Sequence, residues 1–206
     1  MAAEASMFTG IVSEIGTLAA HDGARLSIAC SYEPSSLVPG ASMACDGCCL
    51  TIVDAKAGKG GAVFEVDVSN ETVSRTALGS WQVGRRINLE RPLSLGDELG
   101  GHLVTGHIDG LAKITGRAQD GDSARFTLES PASLARFIAA KGAIALDGVS
   151  LTINEVDGNS FGVNVIPYTL AHTTWRDRKV GDLVNLEVDM LARYVERIAA
   201  MKANEP

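Results

Sequence analysis

Two strand-like segments carry hydroxyls and a thiol at alternating positions, where they could bind or polarise a small polar ligand. In Val149-Ser-Leu-Thr-Ile-Asn154, alternation sends Val149, Leu151 and Ile153 to one face and Ser150, Thr152 and Asn154 to the other. In Gly47-Cys-Cys-Leu-Thr-Ile-Val-Asp-Ala55, Cys48, Leu50 and Ile52 point inward while Cys49 and Thr51 take the face of Ser150 and Thr152. Cys48 therefore reads as a small core residue, since free cysteine is among the most buried types. Cys49 reads as a ligand-facing group. Ordinary strand polarity explains either pair alone, but two matched pairs point to twin binding sites.

A glycine-rich segment, Gly100-Gly-His-Leu-Val-Thr-Gly-His-Ile-Asp-Gly110, adds two imidazoles. It is no phosphate loop, because Gly106 is followed by His107 rather than by Lys and a hydroxyl residue. His102 and His107 lie five apart and fall on opposite faces of a strand, which argues against joint metal ligation. His107, beside a flexible glycine, suits proton transfer near neutral pH. His21 and His172 carry no signal beyond an ordinary structural histidine. Asp147, Asp189 and Lys141 flank the motif strands, where charges most often mark solvated strand ends. The cysteines at 30, 45, 48 and 49 make a poor disulfide framework and lack a second ligand pair for zinc, so no metal and reduced thiols are expected.

The elements that must position these groups occur twice. Gly47-Cys-Cys-Leu-Thr-Ile matches Gly148-Val-Ser-Leu-Thr-Ile at an offset of 101 residues, and Val83-Gly-Arg-Arg-Ile-Asn-Leu-Glu90 returns as Val180-Gly-Asp-Leu-Val-Asn-Leu-Glu187 at an offset of 97. Thr72 and Thr76 land on Thr169 and Thr173, and Thr9-Gly10 on Thr105-Gly106. Matches in the same order define a tandem duplication. The hydrophobic period within each half is two: Leu26, Ile28 and Cys30; Phe64, Val66 and Val68; Phe161, Val163 and Val165. With segments near 8–19, 42–45, 49–54 and 86–90 and their counterparts, each half holds about six short strands, which a closed antiparallel barrel would leave without exposed edges. The fold class expected is all-β, two tandem six-stranded barrels, with residues 7–96 in the first and 97–189 in the second. Residues 1–6 read as a tag remnant or alternative start. Helical spacing predicts helices over 132–140 and 190–202. In the second, Leu191, Tyr194, Val195, Ile198 and Met201 form one apolar stripe. Its natural partner is an identical helix of another subunit, and packing on its own barrel is the alternative.

A net charge of −7 without any Lys/Arg cluster argues against nucleic acid, which is bound by neutralising phosphates. No window approaches the ~20 apolar residues of a bilayer span, and the N-terminus lacks a leader pattern, so a cytoplasmic protein is expected.

Met7-Phe-Thr-Gly-Ile-Val12, Gly47-Cys-Cys-Leu-Thr51, Gly100-Gly-His-Leu-Val-Thr-Gly-His107 and Asp147-Gly-Val-Ser-Leu-Thr152 together resemble the riboflavin synthase alpha-chain family, from Met7 to about Arg197. That resemblance implies Greek-key barrels, a helix-built homotrimer, no cofactor, and one lumazine site per barrel. The implied active site pairs the N-terminal barrel of one subunit with the C-terminal barrel of its neighbour. The implied reaction is dismutation of two 6,7-dimethyl-8-ribityllumazine molecules to riboflavin and 5-amino-6-ribitylaminouracil, and the resemblance leaves a lumazine synthase shell open as a further partner. It places ligand contacts at Gly10, Ile11, Val12, Ser42, Cys49, Leu50, Thr51, Asp67, Val68, Ser69, Asn70, Glu71 and Thr72 in the first half. In the second it places them at Gly106, His107, Ile108, Lys141, Ser150, Leu151, Thr152, Ile166, Pro167, Tyr168, Thr169, Leu170 and Ala171. For catalysis it points to His107 as proton carrier, Ser150 and Thr152 as polarising groups, and Cys49, Phe8 and Asp189 in support. Asp67 to Thr72 is more polar than Asn164 to Thr169, so the barrels are expected to bind unequally, the C-terminal one as the stronger acceptor. The rival readings are a non-catalytic lumazine or flavin carrier, which can lose one site and the trimer, and a flavin reductase, for which no G-x-G-x-x-G or second domain is present.

Overall fold

The computed structural model describes residues 6–202. The first repeat contains β1 (Glu14–Asp22), β2 (Arg25–Cys30), β3 (Ser42–Cys45), β4 (Cys48–Gly58), β5 (Gly61–Asp67), the short helix α1 (Asn70–Arg75) and β6 (Arg86–Glu90). The second contains β7 (Gly110–Asp120), β8 (Ser123–Glu129), β9 (Ala143–Leu146), β10 (Val149–Asp157), β11 (Ser160–Val165), α2 (Pro167–His172) and β12 (Leu183–Val188), followed by α3 (Met190–Lys202). Each set of six strands closes into an antiparallel barrel, in the order β1-β2-β5-β4-β3-β6 for the first and the equivalent order for the second. Leu18, Ile28, Phe64 and Ile87 fill one core; Ile114, Phe126, Phe161 and Trp175 fill the other.

The barrels meet back to back. Asp46-Gly47 and Asp147-Gly148 each make a two-residue hairpin turn with both residues left-handed, the conformation that matches strand twist. The two glycines face each other so closely that a Cβ on Gly47 would lie 2.6 Å from the Gly148 nitrogen. Around them, Asn88 N–H donates to Asp46 Oδ1 and Asn185 N–H to Asp147 Oδ1, both at 2.8 Å. Arg178 lies 2.6 Å from Asp147 and 3.6 Å from Asp46, and Arg85 lies 2.9 Å from Asp46. Asp147 is thus fully buried rather than a solvated strand end. Its position at the join of two domains, invisible in local sequence, is the reason.

Two other expectations change. The segment from residue 8 is a strand only from Glu14; before that it is a strap that leaves its own barrel, touching the second repeat through a Phe8–Val104 bridge. Residues 132–140 form only a 3-10 turn at Ala135–Phe137, because Leu134, Phe137 and Ile138 are already carried onto the barrel core by one tight turn. Of residues 1–6, only Ser6 lies among the described residues. The helix over 190–202 is present, and among the described residues no helix is long and apolar enough to cross a membrane.

Candidate active site

The straps decide how the site residues group. Glu90, buried at the end of β6, accepts hydrogen bonds from Thr9 N–H (2.6 Å), Thr9 Oγ1 (2.8 Å) and Gly10 N–H (3.0 Å). Glu187 at the end of β12 repeats this with Thr105 N–H (2.7 Å), Thr105 Oγ1 (2.7 Å) and Gly106 N–H (2.9 Å). Burial pushes both carboxyls up, and the hydrogen bonds oppose that rise by stabilising the anion.

Each strap then crosses to the other barrel. Ser150 N–H donates to Gly10 O at 2.8 Å, and Cys49 N–H donates to Gly106 O at 2.9 Å. Both glycines are left-handed (φ +75° and +78°), and a Cβ on them would strike Ser150 Cβ at 2.6 Å or Cys49 Cβ at 2.5 Å. Val12 packs against the second core and Ile108 against the first. Gly10 to Val12, in the first half of the chain, thus lie against the second barrel, and Gly106 to Ile108, in the second half, against the first. Order along the chain does not reveal a crossing made by the Ser150–Gly10 and Cys49–Gly106 bonds between the repeats.

At the first barrel, a cavity of about 230 Å³ is lined by Cys48, Cys49, Ser69, Glu71, Thr72, Arg75, Thr76, Gly106, His107 and Ile108. β4 alternates as expected, with Cys49 half-buried and Thr51 exposed on one face and Leu50 in the core. Ser69 caps α1 by accepting from Thr72 N–H at 3.1 Å, which turns the chain over the cavity. Burial pushes the Cys48 thiol up to about 12 and raises that of Cys49 too, where a hydrogen bond with Ser42 opposes the rise. His107 is exposed at the rim.

At the second barrel, Ser150 Oγ lies 2.7 Å from His102 Nδ1. His102 N–H donates to Thr9 O at 3.1 Å, so the strap itself carries the imidazole to Ser150. Burial lowers the His102 pKa and the charge of Asp189 opposes that shift. The imidazole Nε2 is buried with no hydrogen-bond partner among the described residues. Asp189 caps α3 by accepting from Leu191 N–H at 2.9 Å. Thr152 is exposed on the face of Ser150; Ile11, Ile166 and Tyr168 are also exposed, and Tyr168 stacks on His172 with centroids 4.0 Å apart. Pro167, Thr169, Leu170 and Ala171 belong to α2, as Asn70, Glu71 and Thr72 belong to α1.

The other residues expected at the sites have varied surroundings. Phe8 is fully buried with Ala44, Val104 and Ala145 between the barrels. Val68, Leu50 and Leu151 point their side chains into the cores. Asp67 is clamped by the Arg25 guanidinium at 2.8 and 3.0 Å, which holds its carboxyl below the usual range. Ser42 accepts from Ser6 Oγ at 2.7 Å and opens on a separate hollow beside Arg91 and Asp97. Lys141 is exposed and left-handed (φ +67°) where the first repeat has Gly40 (φ +91°). Among the described residues, no three His, Cys, Asp or Glu side chains gather as a metal-holding group.

Sequence reasoning missed His102, Glu90 and Glu187. For the glutamates a signal was present: Asn-Leu-Glu ends a buried strand in both repeats, and a buried carboxylate must be hydrogen-bonded. For His102 there was none, since its partner lies 48 residues away.

Two back-to-back barrels, each with a strand of outward hydroxyl or thiol groups closed by the other repeat's strap, define a duplicated small-molecule-binding barrel protein. Residues 9–92 and 105–189 each match the lumazine binding domain, and the chain belongs to that family. It is 50% identical over 198 residues to riboflavin synthase of Brucella abortus (strain 2308), covering 94% of this chain and 98% of that protein. It is 41% identical over 199 residues to riboflavin synthase of Mycobacterium tuberculosis (strain ATCC 25618 / H37Rv), covering 93% and 98%. For riboflavin synthase of Bacillus subtilis (strain 168) the figures are 38% over 203 residues, 97% and 92%. The fold is shared with solved structures of LumP complexed with 6,7-dimethyl-8-(1'-D-ribityl) lumazine (TM-score 0.74, 23% identity) and with riboflavin (TM-score 0.75, 24% identity), each covering 88% of this chain and 98% of that one.

Proposed function

We propose that this chain is a transferase that catalyses the riboflavin synthase reaction, dismutation of two 6,7-dimethyl-8-ribityllumazine molecules to riboflavin and 5-amino-6-ribitylaminouracil. The observation that carries this reading is the intact doubling of the site: both motif strands, both straps and both Glu clamps are present. A reaction that joins two copies of one substrate needs two such sites. A four-carbon unit passes from donor to acceptor, so atoms balance without a cofactor. The acidic C7 methyl of the lumazine supplies the carbanion, and holding two rings in register contributes up to about 7–11 kcal/mol.

His102 and Ser150 form the acid–base pair on this reading. With its pKa lowered by burial, His102 is neutral at pH 7 and accepts the Ser150 proton at Nδ1. Asp189 stabilises the imidazolium that results. Ser150 can then take a proton from the bound lumazine or its attacking water, and Thr152 on the same face orients that group. His107 stands at the first barrel's cavity, so it serves the ligand held there.

Ser150 and His107 belong to different barrels' sites, and they act together only where two chains meet. The apolar stripe of α3 supports such an assembly. Leu191, Tyr194, Val195, Ile198 and Met201 are all more than half exposed, while Arg193 pairs with Asp109 and Glu196 with Arg136 on the side facing their own barrel. We take the assembly to be a homotrimer and its compartment to be the cytoplasm, where four free cysteines suit a reducing medium. Neither nucleic acid nor a lumazine synthase shell is needed for the chemistry.

The test is incubation with 6,7-dimethyl-8-ribityllumazine alone and chromatography of the products. One riboflavin per two lumazines consumed is the expected result. Tight binding of unchanged lumazine would make the chain a carrier and overturn the proposal.

A further inference from the structure

The two short helices that follow β5 and β11, α1 and α2, end in the same way. Thr76 Oγ1 donates to Thr72 O at 2.7 Å and accepts from Leu78 N–H at 3.3 Å, tying α1 to the turn that follows it. Thr173 Oγ1 does the same between Thr169 O (2.7 Å) and Trp175 N–H (3.2 Å) after α2. The next backbone donor of each turn is held from across the molecule. Ala77 N–H donates to Asn185 Oδ1 and Thr174 N–H to Asn88 Oδ1, both at 2.8 Å. Asn185 lies on β12 of the second barrel and Asn88 on β6 of the first, so each anchor belongs to the barrel opposite the helix it holds.

The asparagines are themselves locked. Asn88 Nδ2 donates to Asp147 O at 2.9 Å and Asn185 Nδ2 to Asp46 O at 2.8 Å, while their own N–H groups bond the Asp46 and Asp147 carboxylates. Both side chains are buried, and their amides have no freedom to reorient because each faces one obligatory donor and one obligatory acceptor.

We infer that Asn88 and Asn185 are positioning residues, each of which fixes the ligand-facing helix of the barrel it does not belong to. Neither barrel's site is then set by its own repeat alone. The role in ligand binding rests on the reading of α1 and α2 as cavity walls of lumazine sites. The crossed anchoring itself does not.

Hydrogen exchange of the full-length protein, read by mass spectrometry over 70–80 and 167–177, tests this with riboflavin as the probe ligand. Asn185→Ala is expected to speed exchange over 70–80 at least tenfold and leave 167–177 within twofold; Asn88→Ala should do the reverse. Loosening confined to the variant's own barrel, or equal in both segments, would overturn the inference. Should an asparagine variant fail to fold, Ala77→Pro removes the donor from the other side. Proline suits that position because Thr76 is extended and Ala77 opens a 3-10 turn. Faster exchange over 70–76 in Ala77→Pro supports the anchor, and unchanged exchange there overturns it. Riboflavin should protect both segments in the unaltered protein. Absence of that protection would count against the ligand reading, while the crossed pattern without ligand still decides the anchoring.

Discussion

At the scale of single residues, the proposed chemistry falls on the His102–Ser150 hydrogen bond, between groups that share no local motif. Ser150→Ala and His102→Gln should each lower kcat by roughly 10²- to 10⁴-fold, the usual contribution of a general acid or base. The double variant should be little worse than the poorer single, because the two act as one unit. A tenfold smaller loss in His107→Ala than in Ser150→Ala would demote His107 from proton carrier. Since only neutral His102 can accept a proton, and burial lowers its pKa, the acid limb of the kcat profile should fall below the ordinary imidazole value of 6.5. It should be absent in His102→Gln; an unchanged limb in that variant would assign it to another group. The raised Cys49 thiol argues for slow alkylation at pH 7, with Cys49 a wall of the cavity rather than a nucleophile.

At the scale of elements, α3 and the straps matter most. A charge in the middle of the apolar stripe, as in Ile198→Glu, should give monomers in sedimentation and abolish turnover, while each chain keeps its riboflavin binding. An active monomer would refute the composite site. The straps predict a crossed effect of their own. Glu187→Ala leaves the Thr105 and Gly106 donors unpaired, at about 1–3 kcal/mol for each that stays buried. The strap they hold closes the first barrel's cavity, so affinity should fall there more than at the second barrel. Strand alternation was legible in sequence because a half-buried sheet demands period two. The 132–140 segment was misread because its apolar residues satisfy a helical spacing and a barrel-capping turn equally well.

For the molecule as a whole, the join between the barrels is an electrostatic cluster of Asp46, Asp147, Arg85 and Arg178. Burial raises Asp147 from 3.8 to about 6, with the nearby Asp46 charge adding to the rise and Arg178 opposing it. A carboxyl whose folded pKa lies above its unfolded value binds a proton more tightly when folded. Its contribution to stability is full below about pH 4 and is lost as pH rises through about 6. At ~1.4 kcal/mol per pH unit, Asp147 alone accounts for at most about 3 kcal/mol across that window. Urea unfolding from pH 4 to 7 should show this component in the native protein and not in Asp147→Asn. Parallel pH profiles for the two would remove Asp147 from the linkage.

The sequence by itself determined the duplication, the all-β class, the faces of the two motif strands and the terminal helix, because each is a local periodicity or a repeated string. Only the tertiary structure decided which strap closes which barrel, that His102 meets Ser150, that Asp147 is buried and that Phe8 is walled in between the barrels. Those facts depend on two similar domains packing back to back. A repeat aligned with itself states that Gly10 and Gly106 are equivalent, but the choice between closing on the near barrel or the far one lies in contacts 40 to 140 residues apart, such as Ser150 with Gly10. No window of local sequence contains both partners.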